Sequence, residues 1–304
     1  TFDVSSIVTV TPAEKAECPA LDSTINVNDY FPGKLEFPSP SATDKILEYL
    51  NKGGDGETLA KRLDEIYLKS DYRGGYAFRD VTGDQVSEFL FVEINLEGKP
   101  IVFSCQNGNF EKRFVLSGDD EFWDYALEVD DLVGDGIPEI IIMGTSGVSF
   151  PQSKIFILKW NGQTFEILGT LDILALRKTE FKDSDGNGNI EIIFIGDNPS
   201  CFSCSNFLPL RERTITYGWN GKEFIETSNE FSPPKYRFQA VQDADFNISK
   251  RKIDKALNLY KEAIVNQNLE WWSPERFVYE QDASNRAMPG YTPLPEPVED
   301  PAEY

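Results

Sequence analysis

The chain of 304 residues contains no histidine. That removes histidine-based triads, histidine-ligated zinc and the usual general base at neutral pH. An enzyme built on this sequence would have to use carboxylates, Tyr, Lys or Cys. Basic residues are also scarce: 29 Lys and Arg stand against 51 Asp and Glu, a formal net charge of −22. Such a surface repels nucleic acid and anionic lipid and attracts cations, so nucleic-acid binding is set aside. No apolar run approaches the roughly 18–20 residues that cross a bilayer as a helix. No signal peptide is visible, and the chain begins at Thr1 rather than Met, which fits a processed, exported protein and fits trimming equally. There is no G-x-S-x-G elbow, P-loop or Rossmann glycine pattern; the nearest miss, Gly144-Thr145-Ser146-Gly147, has the wrong spacing.

Cysteine is sparse: Cys18, Cys105, Cys201 and Cys204. Cys201-Phe-Ser-Cys204 is a C-x-x-C with three readings: a short disulfide stapling a surface loop, free thiols, or a redox or zinc pair. No helix pattern follows Cys204 and Pro209 arrives soon after, which favours the staple. An even cysteine count without histidine points to an oxidising compartment.

What is present is a folded composition, 40% hydrophobic and 13% aromatic, arranged as a repeat. DVTGDQVSEFLFVE (80–93), DLVGDGIPEIIIMG (131–144) and DSDGNGNIEIIFIG (183–196) align, with first Asp residues at 80, 131 and 183. A second motif recurs in phase: IVFSCQNGNF (101–110), KIFILKWNGQTF (154–165) and TITYGWNGKEF (214–224). Asn-Gly between alternating apolar segments signals a hairpin, because both residues tolerate the positive φ of a type I′ turn. Each repeat of about 50 residues therefore reads as four antiparallel strands, the size of a propeller blade. In the second repeat they fall near 125–130, 139–144, 154–160 and 164–170. The acidic loop joins strands one and two. Second strands that are apolar throughout are expected to be buried on both faces.

Each acidic loop places Asp at position 1, Asp or Asn at position 5 and Glu at position 9, a pattern of alternate oxygens suited to a hard cation. An EF-hand would need a bidentate Glu at position 12, where this chain has Phe91, Ile142 and Phe194, and a helix rather than a strand afterwards. Over about 72–228 these loops resemble the FG-GAP, or VCBS, repeats of integrin-α-like β-propellers. The resemblance implies structural calcium held by Asp183, Asp185, Asn187 and Glu191 in the third loop, and by Asp80, Thr82, Asp84 and Glu88 in the first. In the second it implies Asp131, Asp135 and Glu139, with Val133 standing where a ligand is expected. The competing reading is metal-free Asx-type turns, in which the carboxylates accept backbone N–H groups.

The expected fold is mainly β with flanking helices. An extended N-terminal segment (1–40) holds the strand-like stretches STINVNDY and KLEF, either of which could help close a ring. A helical hairpin (41–70) follows, with Ile46, Leu47 and Leu50 in one helix and Leu59, Leu63, Ile66 and Tyr67 in the other, broken by Gly53-Gly54-Asp55-Gly56. Three four-stranded blades (71–230) form a partial or small propeller. A helical subdomain (231–284) contains SKRKIDKALNLYKEAIVN, which resembles the second helix of a tetratricopeptide unit; Ile253, Ala256, Leu257, Tyr260, Ala263 and Ile264 make its apolar stripe, expected to bury together with Trp271 and Trp272. A proline-rich acidic tail (285–304) ends the chain, and Asn247-Ile248-Ser249 matches an N-glycosylation acceptor.

The function expected is a non-catalytic recognition or assembly module, secreted, periplasmic or at a cell surface, stabilised by calcium and binding a protein or glycan. Its contact surface is expected on the edge opposite the acidic loops, in segments carrying Phe150, Phe202 and Phe207. The alternatives are a structural subunit of an extracellular filament or layer, self-assembling through the N-terminal segment or the tail, and a carbohydrate-active enzyme using paired carboxylates.

Overall fold

The computed structural model describes residues 18–33, 40–67, 75–92, 100–115, 124–146, 152–174, 176–198, 209–282, 290–292 and 294–298. Among these the chain is mainly β, with twelve strands in three four-stranded antiparallel sheets and six helices. The first sheet is β1 (Gly75–Arg79), β2 (Glu88–Val92), β3 (Pro100–Gln106) and β4 (Asn109–Val115). The second is β5 (Asp124–Asp130), β6 (Glu139–Ser146), β7 (Gln152–Trp160) and β8 (Phe165–Leu174). The third is β9 (Leu176–Lys182), β10 (Glu191–Asn198), β11 (Arg211–Trp219) and β12 (Phe224–Phe231). Every sheet is a meander in chain order, so each repeat folds on itself, and the sheets do not close into a ring among the described residues.

The chain divides into two compact units, Thr1–Gly196 with Thr214–Asn229, and Asp197–Arg213 with Glu230–Tyr304. In the first unit the sheets pack face to face, and the apolar second strands show why. On β2, Phe89 and Phe91 join the core formed with the N-terminal helices, while Leu90 and Val92 turn to the second sheet and meet Ile140, Ile142, Phe156 and Leu158. On β6 the neighbour Ile141 turns the other way, towards Ile192, Phe194, Ile215 and Phe224 of the third sheet. A strand that serves two cores cannot alternate apolar with polar, which explains runs such as EFLFV and EIII.

Three helices cover the free face of the first sheet: α1 (Val27–Tyr30), α2 (Pro40–Asn51) and α3 (Gly56–Tyr67). Ile46, Leu50, Leu59, Leu63 and Ile66 pack there against Phe89, Phe91 and Phe103, as their helical spacing predicts. The break between α2 and α3 needs glycine at Gly53. Its φ is +91°, and a Cβ there would lie 2.3 Å from the Ala20 carbonyl oxygen. The strand expected in STINVNDY is instead a helical turn. Asn26 caps it by accepting from the Asn28 N–H at 3.1 Å, and Asp22 accepts from the Thr24 N–H at 2.9 Å; such local bonds compete with a sheet ladder. KLEF lies outside the described residues.

The Asn-Gly hairpins also divide. Asn107 and Gly108 both have positive φ, +50° and +83°, as a two-residue I′ turn requires. In the other two repeats only Gly162 and Gly221 do. There Asn161 and Asn220 cap longer turns, each accepting two backbone N–H groups through its side chain.

In the second unit α4 (Arg237–Ser249) and α5 (Ile253–Val265) pair through small residues; Ala240, Ala244, Ala256 and Ala263 are buried. The larger members of the predicted stripe are not. Ile253 and Leu257 are half exposed and Ile264 is 73% exposed, because close helix approach selects the alanines and turns the branched residues outward. Trp271 and Trp272 are only half-buried, Trp272 against Phe238 and Trp271 under the Arg276 guanidinium, before α6 (Pro274–Gln281). Arg211 is buried in this unit, donating to Asp243 at 2.6 Å and to the Ser232 carbonyl. Asn247 is buried as well and donates its side-chain amide to the Asp243 carbonyl, so in the folded chain it is not a free glycosylation acceptor. No described helix is long and apolar enough to cross a membrane.

Candidate metal centre

The acidic turns between the first and second strands of each sheet share one construction. The ninth residue, Glu88, Glu139 or Glu191, opens the second strand and is buried. Its carboxylate accepts the backbone N–H of the second residue: Val81 at 2.9 Å, Leu132 at 2.9 Å and Ser184 at 2.6 Å. The first Asp folds back over the turn. Asp80 accepts from the Gly83 and Gln85 N–H groups, Asp131 from Asp135 and Gly136, and Asp183 from Gly186 and Gly188. The three turns lie side by side along one edge of the first unit. A Cβ on Gly83 would touch Ile137, one on Gly134 would meet the Gly188 carbonyl oxygen at 2.8 Å, and the Ile190 N–H donates to the Leu132 carbonyl.

Beyond that frame the turns differ. In the third, carboxylate oxygens of Asp183, Asp185 and Glu191 all lie within 4.8 Å of one another, and it is the one such acidic group found among the described residues. Two oxygens on opposite sides of a calcium ion stand about 4.6–5.2 Å apart, given bonds of roughly 2.3–2.6 Å, so this spread fits one hard cation. Gly218 on β11 packs beside this turn; a Cβ added there would lie 3.1 Å from Thr227 Cγ2 and 3.8 Å from Glu191 Cγ. Asn187 sits beside the group, its side-chain oxygen accepting the Asn189 N–H at 2.7 Å and its amide donating to Asp185 at 2.9 Å. With hard carboxylate oxygens and no nitrogen or sulfur, Asp183, Asp185 and Glu191 would hold calcium or a similar cation rather than zinc. Such an ion would neutralise three converging charges and pin the turn.

In the first turn Asp80, Asp84 and Glu88 do not converge in this way, and Thr82 donates weakly to Glu88 at 3.4 Å. Burial, reinforced by the negative charges of Asp84 and Asp80, pushes the Glu88 carboxyl up to about 8 against the pull of the Val81 N–H. One step beyond the Phe89–Phe103 pair, the register sets Ser104 opposite Glu88, and the buried Ser104 Oγ has no hydrogen-bond partner.

The second turn already holds a positive charge. The Lys159 ammonium on β7 lies 2.6 Å from Glu139 Oε1 and 2.8 Å from Asp135 Oδ2. Burial raises the Glu139 carboxyl, opposed by Lys159. Burial works against the Lys159 ammonium, yet its bonds to Asp135 and Glu139 hold it above the usual lysine value. Of the ligands implied for this turn, Asp135 and Glu139 are therefore occupied by a side chain of the same protein, while both oxygens of Asp131 face backbone N–H groups. Sequence reasoning missed Lys159, 20 residues from Glu139; its one signal was a cation following the apolar run IFIL in the strand KIFILKW.

The disulfide in the described structure is not the C-x-x-C. Cys18 is bonded to Cys105 on β3, with Cα atoms 5.8 Å apart and a sequence separation of 87. Cys201, Cys204, Phe150, Phe202 and Phe207 lie outside the described residues. No protein-family model matches the chain, and no curated protein is significantly similar to it.

Proposed function

We propose that this chain is a non-catalytic recognition or assembly module of the cell exterior, built on FG-GAP/VCBS-type repeats in a partial propeller-like stack and stabilised by calcium in its third acidic turn. The observation that carries the reading is the convergence of Asp183, Asp185 and Glu191 in one of three turns that share a backbone frame. The Cys18–Cys105 bond hints at a non-reducing environment, and the charge of −22 suits a medium rich in divalent cations. Calcium here has a structural role, and recognition of a protein or glycan belongs to the opposite edge of the sheets.

The test is thermal unfolding with chelator and with millimolar calcium, at matched ionic strength so that general screening does not mimic binding. Calcium should raise the melting temperature, and Asp183→Ala should remove most of that rise. Saturation a hundredfold above Kd corresponds to about 2.7 kcal/mol. A melting curve indifferent to both chelator and calcium would sink the structural-metal reading.

A further inference from the structure

The third strand of each repeat runs beside the ninth-position glutamate, and the residue it places there differs in every repeat. The register that pairs Ile140 with Leu158 brings Lys159 next to Glu139. Lys159 stands two residues before Asn161-Gly162; the residue two before Asn220-Gly221 is Gly218, and it stands beside Glu191. In the first repeat the register brings Ser104 next to Glu88. One structural position thus carries an ammonium, a glycine and a buried hydroxyl.

We propose that Lys159 is the resident cation of the second turn: its ammonium takes the place that a divalent ion would take in the third, and this single strand position decides whether a turn needs an ion from solution. The Glu139 side chain is fully buried and that of Lys159 is 19% exposed, so the charge pair is largely shielded from water. Lys159 also reaches Asp135 at position 5, so it spans the turn between two of the oxygens a cation would bridge. At position 3, where the third turn offers Asp185, the second has Val133. A divalent ion there would draw its remaining oxygens from backbone carbonyls and water, which are among the ligands such ions accept.

The exchange can be run in both directions on the full chain. Lys159→Gly leaves the buried Glu139 charge without its counter-ion; the melting temperature in chelator should fall by about 10 °C, as expected for breaking a buried pair. Millimolar calcium should recover most of that loss. The double variant Lys159→Gly/Glu139→Gln removes the stranded charge, so it should melt near the unaltered chain in chelator and show none of the calcium recovery of the single variant. A single variant that folds only with calcium supports the proposal. A single variant that calcium does not recover, while the double variant folds, overturns it, as does a single variant that loses nothing.

The reciprocal change, Gly218→Lys, should abolish the calcium response of the third turn, and only this arm rests on the calcium reading above. If the unaltered chain shows no calcium response but Lys159→Gly gains one, the calcium reading falls and the role of Lys159 stands. If the unaltered chain responds and Lys159→Gly gains nothing beyond it, the role of Lys159 falls alone.

Discussion

Tyr49 shows how a single polar atom is carried inside the apolar contact between the N-terminal helices and the first sheet. It is 1% exposed, its ring stands edge-on to Tyr30, and its hydroxyl donates to the Asp55 carbonyl at 3.2 Å. Burial, with the charge of Asp55 added, raises the phenol above its ordinary value of 10. The sign of the consequence follows. The folded state prefers the neutral phenol, so its stability is intact below pH 10 and falls as pH climbs from 10 towards the raised value, because unfolding then releases a proton. Tyr49→Phe should cost about 1 kcal/mol at pH 7 through the lost hydrogen bond. The gap in melting temperature between the two proteins should narrow above pH 10. Melting curves from pH 7 to 11 check this, and a gap that stays constant would mean that Tyr49 does not carry the alkaline loss.

At the scale of elements, the cap of α1 to α3 is held to the first sheet by apolar packing, by the reciprocal hydrogen bonds of Asn51 with the Phe110 backbone and by one covalent bond. Cys105 lies on β3 within the same core as Leu59, Leu63 and Phe103, and Cys18 precedes α1. Closing a loop of this length removes about 4–5 kcal/mol of chain entropy from the unfolded state in the loop-closure account. Reduction should therefore lower the melting temperature by roughly 10 °C, and Cys18→Ala should melt at the reduced value with no further response to reductant. A melting temperature unchanged by reduction would show that packing alone fixes the cap. Much of this architecture was legible in the chain. The recurrence of Asp, Gly and Glu marked the turns, Asn-Gly marked the hairpins, and the spacing of Leu59, Leu63 and Ile66 marked α3. Each is a local pattern that local geometry enforces. The Cys18–Cys105 pairing was not legible, because sequence spacing does not set connectivity. The α5 stripe misled because a helix period reveals a face but not which members of it touch a neighbour. There the alanines are buried and Ile264 is exposed.

At the scale of the whole molecule, the interactions among the described residues that answer to the medium fall within one of its two compact units. The converging carboxylates of Asp183, Asp185 and Glu191, the Lys159 pair and the Cys18–Cys105 bond all belong to the unit of Thr1–Gly196 and Thr214–Asn229. The unit of Asp197–Arg213 and Glu230–Tyr304 rests on the α4–α5 alanine contact and on buried Arg211 with Asp243. Neither of these contacts is made by a thiol or by the acidic turns. Local stability reported by native-state hydrogen exchange should divide along the same line. Chelator and reductant together should speed exchange at the amides of Ile140–Ile142 and Phe194, whose strands share the stacked cores. Protection across Ala240–Ala244 and Ala256–Ala263 should hold, because nothing those helices rely on has been removed. Equal loss of protection in both groups would mean that the chain unfolds as one cooperative body, so that calcium and the disulfide would stabilise the helical unit as much as the sheets.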